Sequence, residues 1–200
     1  MSPKQQRGEV TVDRLLTAAL EVYASSGQQG FTVNAVTEAS GVSLGSLYHH
    51  FGSFDGLAAA LYIRCMEELF DELTAAVTRT RTAHTGVRAL VRAYLRFTEE
   101  RPAAALFIHA SAYSGYLAAH ADRIRAAKAV MLGGIVDWMR PRIEAGEILP
   151  TPEPLIEALV IGPVAETARR WLSNTYDIDL AQAARILPDR IWRSLRPDLE

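Results

Sequence analysis

Between Thr32 and Phe51 the chain runs TVNAVTEASGVSLGSLYHHF, and this stretch decides the fold. Thr32 can cap a short helix through about Ser40, because its hydroxyl can accept one of the amide protons left over at a helix start. Ala35, Val36 and Ala39 are expected to face inward from that helix. Gly41-Val42-Ser43 then makes a tight turn, and Ser43 can cap a second short helix. In it Leu47 and Phe51 stand four apart and point to the core, which leaves Gly45, Ser46, His49 and His50 mainly on other faces. Two short helices, a compact turn and a polar outward face on the second are what a helix-turn-helix requires to fit the major groove.

Moving outward, Val12, Leu15, Leu16, Ala19, Leu20 and Tyr23 fall at helical spacing, and Gly27 closes that segment as a C-terminal cap. On the other side Ser53 caps a long helix, with Asp55 in its first turn and the stripe Leu57, Leu61, Cys65, Leu69, Leu73 and Val77. Helices follow around Val87–Leu95, ending near Pro102, and from Ala103 to about Ser111, before a flexible Ser114-Gly115. A long one from about Ala118 to Ala145 contains Gly133-Gly134 and Pro141, which are expected to weaken or bend it. Thr151-Pro152-Glu153 reads as the next helix start, with Leu155, Leu159, Val164, Trp171 and Leu172 lining a helix that Pro163 kinks. Asp179 with Gln182 resembles a capping box opening the last helix, which carries Leu180, Ala184, Leu187, Ile191 and Leu195 and bends at Pro188. No segment alternates as a strand does, so the fold class is all-α: an N-terminal three-helix head, 1–56, and a helical C-terminal domain, 57–200.

Composition narrows the function. Apolar residues are 49% and charged residues 22% of the 200-residue chain, which places it among folded globular proteins and away from disorder. No apolar run approaches a membrane span, and Met1 to Val10 lack the apolar centre of a secretory signal, so a cytoplasmic chain without a membrane partner is expected. The lone Cys65 excludes an internal disulfide. A net charge of -2 gives no global pull on phosphate. In the first third, Lys4, Arg7, Arg14 and Arg64 are balanced by Glu9, Asp13, Glu21, Glu38 and Asp55, so any DNA reading must come from shape and directed hydrogen bonds more than from a basic patch.

Gly30-Phe31-Thr32, Ala39, Gly41-Val42-Ser43, Gly45, Leu47-Tyr48-His49-His50-Phe51 and Leu57 together resemble the N-terminal signature of TetR-type regulators. The likeness extends back through Arg14, Leu15, Ala18-Ala19 and Gly27 and covers about the first third of the chain. Further on, only helical content, Gly162-Pro163 and Trp171-Leu172 are similar. The resemblance implies a homodimer whose recognition helices enter successive major grooves of a palindromic operator in double-stranded DNA, with half-sites about one helical turn apart. It would bring Ser43, Leu44, Gly45, Ser46, Tyr48, His49 and His50 to the duplex, with Thr32, Asn34 and Ser53 near the helix starts that can hold phosphate. It also implies a small, mainly apolar effector held between C-terminal helices. Tyr94, Phe97, Phe107, His109, Tyr113, Met131 and Trp138 are the candidate lining, with His109 or Tyr113 as polar contact. Trp171, Leu172, Ile191 and Trp192 are the candidate dimer interface, with internal packing as the alternative. Effector would release a repressor from its operator by favouring a dimer with the wrong head separation. One departure is Phe54, where such regulators often place a lysine on the backbone phosphate.

Other chemistries are weaker. Gly41-Val42-Ser43-Leu44-Gly45 formally matches a nucleophile elbow, but that motif needs a preceding strand and Ala35–Ser40 read as helix. His49 and His50 splay apart on a helix, and His109, His120 and Asp122 straddle a turn, so no metal or cofactor is expected. Tyr48 is as suited to bracing its helix as to touching phosphate. No paired catalytic constellation stands out, so an enzyme is not expected. A helical enzyme and a dimeric ligand-binding scaffold with an inactive DNA head remain as alternatives.

Overall fold

A computed structural model of the chain describes residues 3–111 and 115–197. Among the described residues the structure is helical throughout, with no strand. The helices are α1 (Pro3–Gly30), α2 (Val33–Ser40), α3 (Leu44–Phe51), α4 (Phe54–Thr78), α5 (Ala83–Glu100), α6 (Pro102–Ser111), α7 (Ala121–Glu144), α8 (Glu153–Leu172) and α9 (Leu180–Arg193), with a 3-10 helix at Gly115–His120 before α7. None of them is long and apolar enough to cross a membrane.

Local chemistry sets most of the ends. Gly27 has φ 63° inside α1 and marks a kink, so the amphipathic helix ends where a C-cap is expected and one further turn carries the chain to Gly30. Thr32 accepts from the Ala35 amide at 3.2 Å, Ser43 from Ser46 at 3.3 Å and Ser53 from Gly56 at 2.9 Å. Asp179 accepts from the Ala181 amide at 2.7 Å at the start of α9. A reciprocal capping box instead opens α5, between Thr82 and Thr85. Helix α7 is continuous through Gly133-Gly134 and Pro141, and begins at Ala121 because a separate 3-10 turn precedes it.

The chain forms two compact units, Met1–Met66 with Leu106–Ala127 and Glu67–Ala105 with Lys128–Glu200. In the first, α1 packs on α2 and α2 on α3, over a core that includes Leu15, Ala19, Val36, Leu47, Leu57 and Leu61. An aromatic cluster completes it: Tyr23 meets Phe31 and Phe107 edge-on at 5.4 and 4.7 Å, and Phe54 lies 4.9 Å from Phe31. Edge-on rings contribute roughly 0.5–1.5 kcal/mol per pair beyond the apolar area they hide. In the second unit α5 packs against α8 and α9, and α8 against α9, burying Val91, Leu95 and Phe97.

Two inward faces differ from those the pattern predicts. In α2 the buried residues are Val36 and Ser40, while Ala39 is exposed. A polar residue can take the inner position because its hydroxyl is satisfied twice, donating to the Thr37 carbonyl at 3.3 Å and accepting from the Val42 amide at 3.2 Å. In α8 the buried stripe is Ile156, Val160, Val164 and Ala168, whereas Leu155 and Leu159 are 55% and 37% exposed. Both leucines lie one position from the buried row, on the adjoining face.

Candidate functional site

The turn between α2 and α3 is built from three devices. Gly41 adopts φ 63°, a left-handed conformation that costs an L side chain roughly 1–2 kcal/mol. Its amide donates to the Glu38 carbonyl at 3.3 Å and closes α2. Arg14 reaches from α1 to donate from Nη2 to the Ser40 carbonyl at 2.7 Å, a cation at the negative end of a helix. Leu47, with no exposed surface, then anchors α3 in the core.

With Leu47 as the buried side, the rest of α3 turns outward. Leu44 and Tyr48 are 45% and 44% exposed, Ser43, Gly45 and His49 are exposed, and Ser46 and His50 are half-buried. Thr32 and Asn34 are exposed at the start of α2, and Ser53 is half-buried before α4. The structure therefore brings these ten residues to the surfaces of three consecutive helix starts and one helix face. The face carries hydroxyls, two imidazoles 5.1 Å apart and one apolar side chain, but no lysine or arginine. Arg14 is used on Ser40, and Arg64 bonds Asp13 at 3.1 Å and the Thr17 hydroxyl at 3.2 Å. Phe54 is turned toward Phe31. Arg14 and Arg64 thus serve the packing of their own unit, and the role of Arg14 as a cap was not visible in the sequence because its partner lies 26 residues away.

The second unit holds a narrow, open-mouthed cleft of about 60 Å³. Phe70 of α4, Leu90 of α5, Ile135 and Trp138 of α7, and Ile156 and Val160 of α8 form much of its wall. Of the seven residues expected to contact a ligand, Trp138 lines it. Met131 is half-buried on α7, while Tyr94 and Phe97 are 5% and 1% exposed in the core. Phe107 belongs to the first unit and its aromatic cluster, and His109 is half-buried on α6. Tyr113 lies outside the described residues. Two further lining residues, Glu153 and Glu157, were not singled out by sequence. Their signal was available: each stands three residues before a member of the buried row, Ile156 and Val160, and so faces the same way.

Trp138 owes its position to a small neighbour. A side-chain carbon on Gly86 would sit 2.0 Å from Cζ2 of the indole, so α5 must be bare there. On the other side the Arg142 guanidinium lies 4.1 Å from the ring centroid and donates to the carbonyls of Trp138, Thr80 and Arg81. The indole Nε1 and the Arg142 Nε are buried without a hydrogen-bond partner among the described residues.

Of the expected interface residues, Ile191 is only 3% exposed within the second unit, and Trp192 stacks on His84 at 5.3 Å. Trp171 and Leu172 are half-buried at the end of α8. Leu155, Leu159 and Ile186 are the large apolar side chains that α8 and α9 leave exposed. No metal-binding group of histidine, cysteine or carboxylate side chains occurs among the described residues.

Residues 15–61 match the model of the family described as bacterial regulatory proteins, tetR family. The chain is 31% identical over 113 residues to the HTH-type transcriptional regulator YobS of Bacillus subtilis, covering 54% of this chain and 57% of that protein. It is 36% identical over 94 residues to the HTH-type transcriptional regulator BetI of Paraburkholderia phymatum, covering 47% and 44%. The chain thus matches about half the length of these relatives. Among solved structures, a TetR family transcription regulator from Marinobacter aquaeolei superposes with a TM-score of 0.79 at 18% identity, over 97% of this chain and 100% of that one. The regulator FadR from Bacillus subtilis, in complex with stearoyl-CoA, gives 0.71 at 18% identity, over 89% and 96%. At these identities the superpositions establish the fold.

Proposed function

We propose that this chain, whose residues 15–61 match the tetR family model, is a TetR-type, homodimeric, ligand-responsive DNA-binding regulator, with residues 1–56 as reading head and 57–200 as effector and dimerisation part. The observation that carries this reading is the face of α3: Leu47 is fully buried, while Leu44, Tyr48 and His49 are turned out with Ser46 between them. Ser46 and the histidines can exchange hydrogen bonds with base edges, and Leu44 suits a thymine methyl. Amides at the starts of α2, α3 and α4 supply phosphate contacts without net positive charge. The sign of control we propose is repression relieved by a small, mainly apolar effector in the cleft. The stearoyl-CoA held by the Bacillus subtilis neighbour supports control by a small molecule. Exposed Leu155, Leu159 and Ile186, together with Trp171 and Leu172, supply the apolar face for dimerisation. We assign no catalytic role to any residue.

Selection of bound duplexes from a random pool tests the reading. Enrichment of a palindrome with half-sites about one helical turn apart is expected. A second reading, a dimeric scaffold with an inactive head, draws on Phe54 turned into the aromatic cluster and on the internally used Arg14 and Arg64. Recovery of no sequence above the random background would favour it.

A further inference from the structure

We propose that the cleft of the second unit selects an apolar molecule carrying a single positive charge, an arylalkyl or alkyl amine, with Glu153 as its counter-charge. This deepens the effector-site reading and rests on it. The cleft itself makes the site, since its walls are aliphatic and aromatic apart from two side chains. Both exceptions are carboxylates, Glu153 and Glu157, one turn apart on α8 and facing the same way.

Their partners differ. Lys128 of α7 places its Nζ 2.5 Å from Glu157 Oε1, so that pair is neutral as a unit. Glu153 has no hydrogen bond or ion pair among the described residues, and no lining residue is cationic. Arg142, the nearest cation to the wall residue Trp138, is stacked on that ring, and its Nη groups are taken by backbone carbonyls. A charge brought into an apolar cleft is strongly disfavoured unless it meets an opposite one. An ammonium meets Glu153 and leaves the Lys128 pair intact. A ligand carboxylate would add a second uncompensated negative charge beside Glu153, with no cationic lining residue to receive it. An uncharged head forgoes the charge-assisted hydrogen bond.

Calorimetric titration near neutral pH with 4-phenylbutylamine, 4-phenylbutan-1-ol and 4-phenylbutanoate compares one body with three heads. The amine is expected to bind up to about fivefold tighter than the alcohol, the scale of an ion pair at an exposed carboxylate, and the acid weaker than either. In Glu153→Gln, a near-isosteric change at an exposed position, amine affinity should fall to that of the alcohol, whose own affinity stays put. Acid binding as tight as the amine, or an amine preference unchanged in Glu153→Gln, overturns the proposal. Equal binding of all three heads to the wild type overturns charge selection while the effector-site reading stands. Binding of none of them to the wild type overturns both.

Discussion

Phe54 stands where TetR-type regulators often carry a lysine, and its ring instead lies 4.9 Å from that of Phe31. Operator binding by the wild type should therefore fall only gently with rising salt, since few lysine or arginine contacts release counterions. Phe54→Lys is predicted to steepen the slope of log K against log salt by about one, the worth of one phosphate contact, and to lower stability by about 1–3 kcal/mol through lost packing. A wild-type slope typical of many lysine contacts would contradict this. Glu166 offers a prediction in pH. Hydrogen bonds from Arg169 and then Arg170, at 2.7 and 2.6 Å, lower its pKa from 4.5 to about 2. A carboxylate with a depressed folded-state pKa contributes stability above its unfolded value, and that contribution is lost as pH falls toward the folded one. Thermal melts of Glu166→Gln should lie closer to wild type at pH about 2 than well above pH 4.5, where the charged group is fully effective. A gap independent of pH in that window would show that the arginines do not hold it.

At the scale of an element, the second helix of the head depends on its cap and on one anchor. Ser43→Ala should cost about 0.5–2 kcal/mol by freeing the Ser46 amide, with a matching loss of operator affinity if α3 frays. Urea melts and binding titrations on the same variant check both. Around the cleft, Gly86→Ala puts a carbon 2.0 Å from the Trp138 ring. Overpacking of this kind costs about 1–3 kcal/mol, and a blue or red shift of tryptophan emission would report the displaced indole. Unchanged emission and stability would mean that α5 and α7 yield without cost. These cases also mark what sequence could reveal. The caps at Thr32, Ser43 and Ser53, the Gly27 break and the Leu47 anchor were legible because each is decided by neighbours within four residues. The burial of Ser40 was not, since an inward hydroxyl is read as outward until its two backbone partners are placed. Nor were the walls of the cleft: Tyr94, Phe97, Ile156 and Trp138 are equally apolar, and only packing sorts core from lining.

At the scale of the whole molecule, control requires that effector bind two states of the dimer with different free energies. Helix α4, which contributes its start to the first compact unit and its remainder to the second, is the element we propose to carry the change. Dimerisation is tested by Leu159→Glu on the exposed face of α8. Light scattering should find monomers and operator affinity should collapse, because one head alone spans one half-site. A dimer of unchanged affinity would move the interface elsewhere. Whether the outward face of α3 reads DNA is decided by anisotropy titration of the selected duplex with wild type and with a Ser46→Ala, His49→Ala double variant. A loss of affinity of at least about tenfold is expected, since a base contact is worth about 1–3 kcal/mol, with the melting temperature unchanged. Equal affinity of the two proteins for that duplex would contradict that reading.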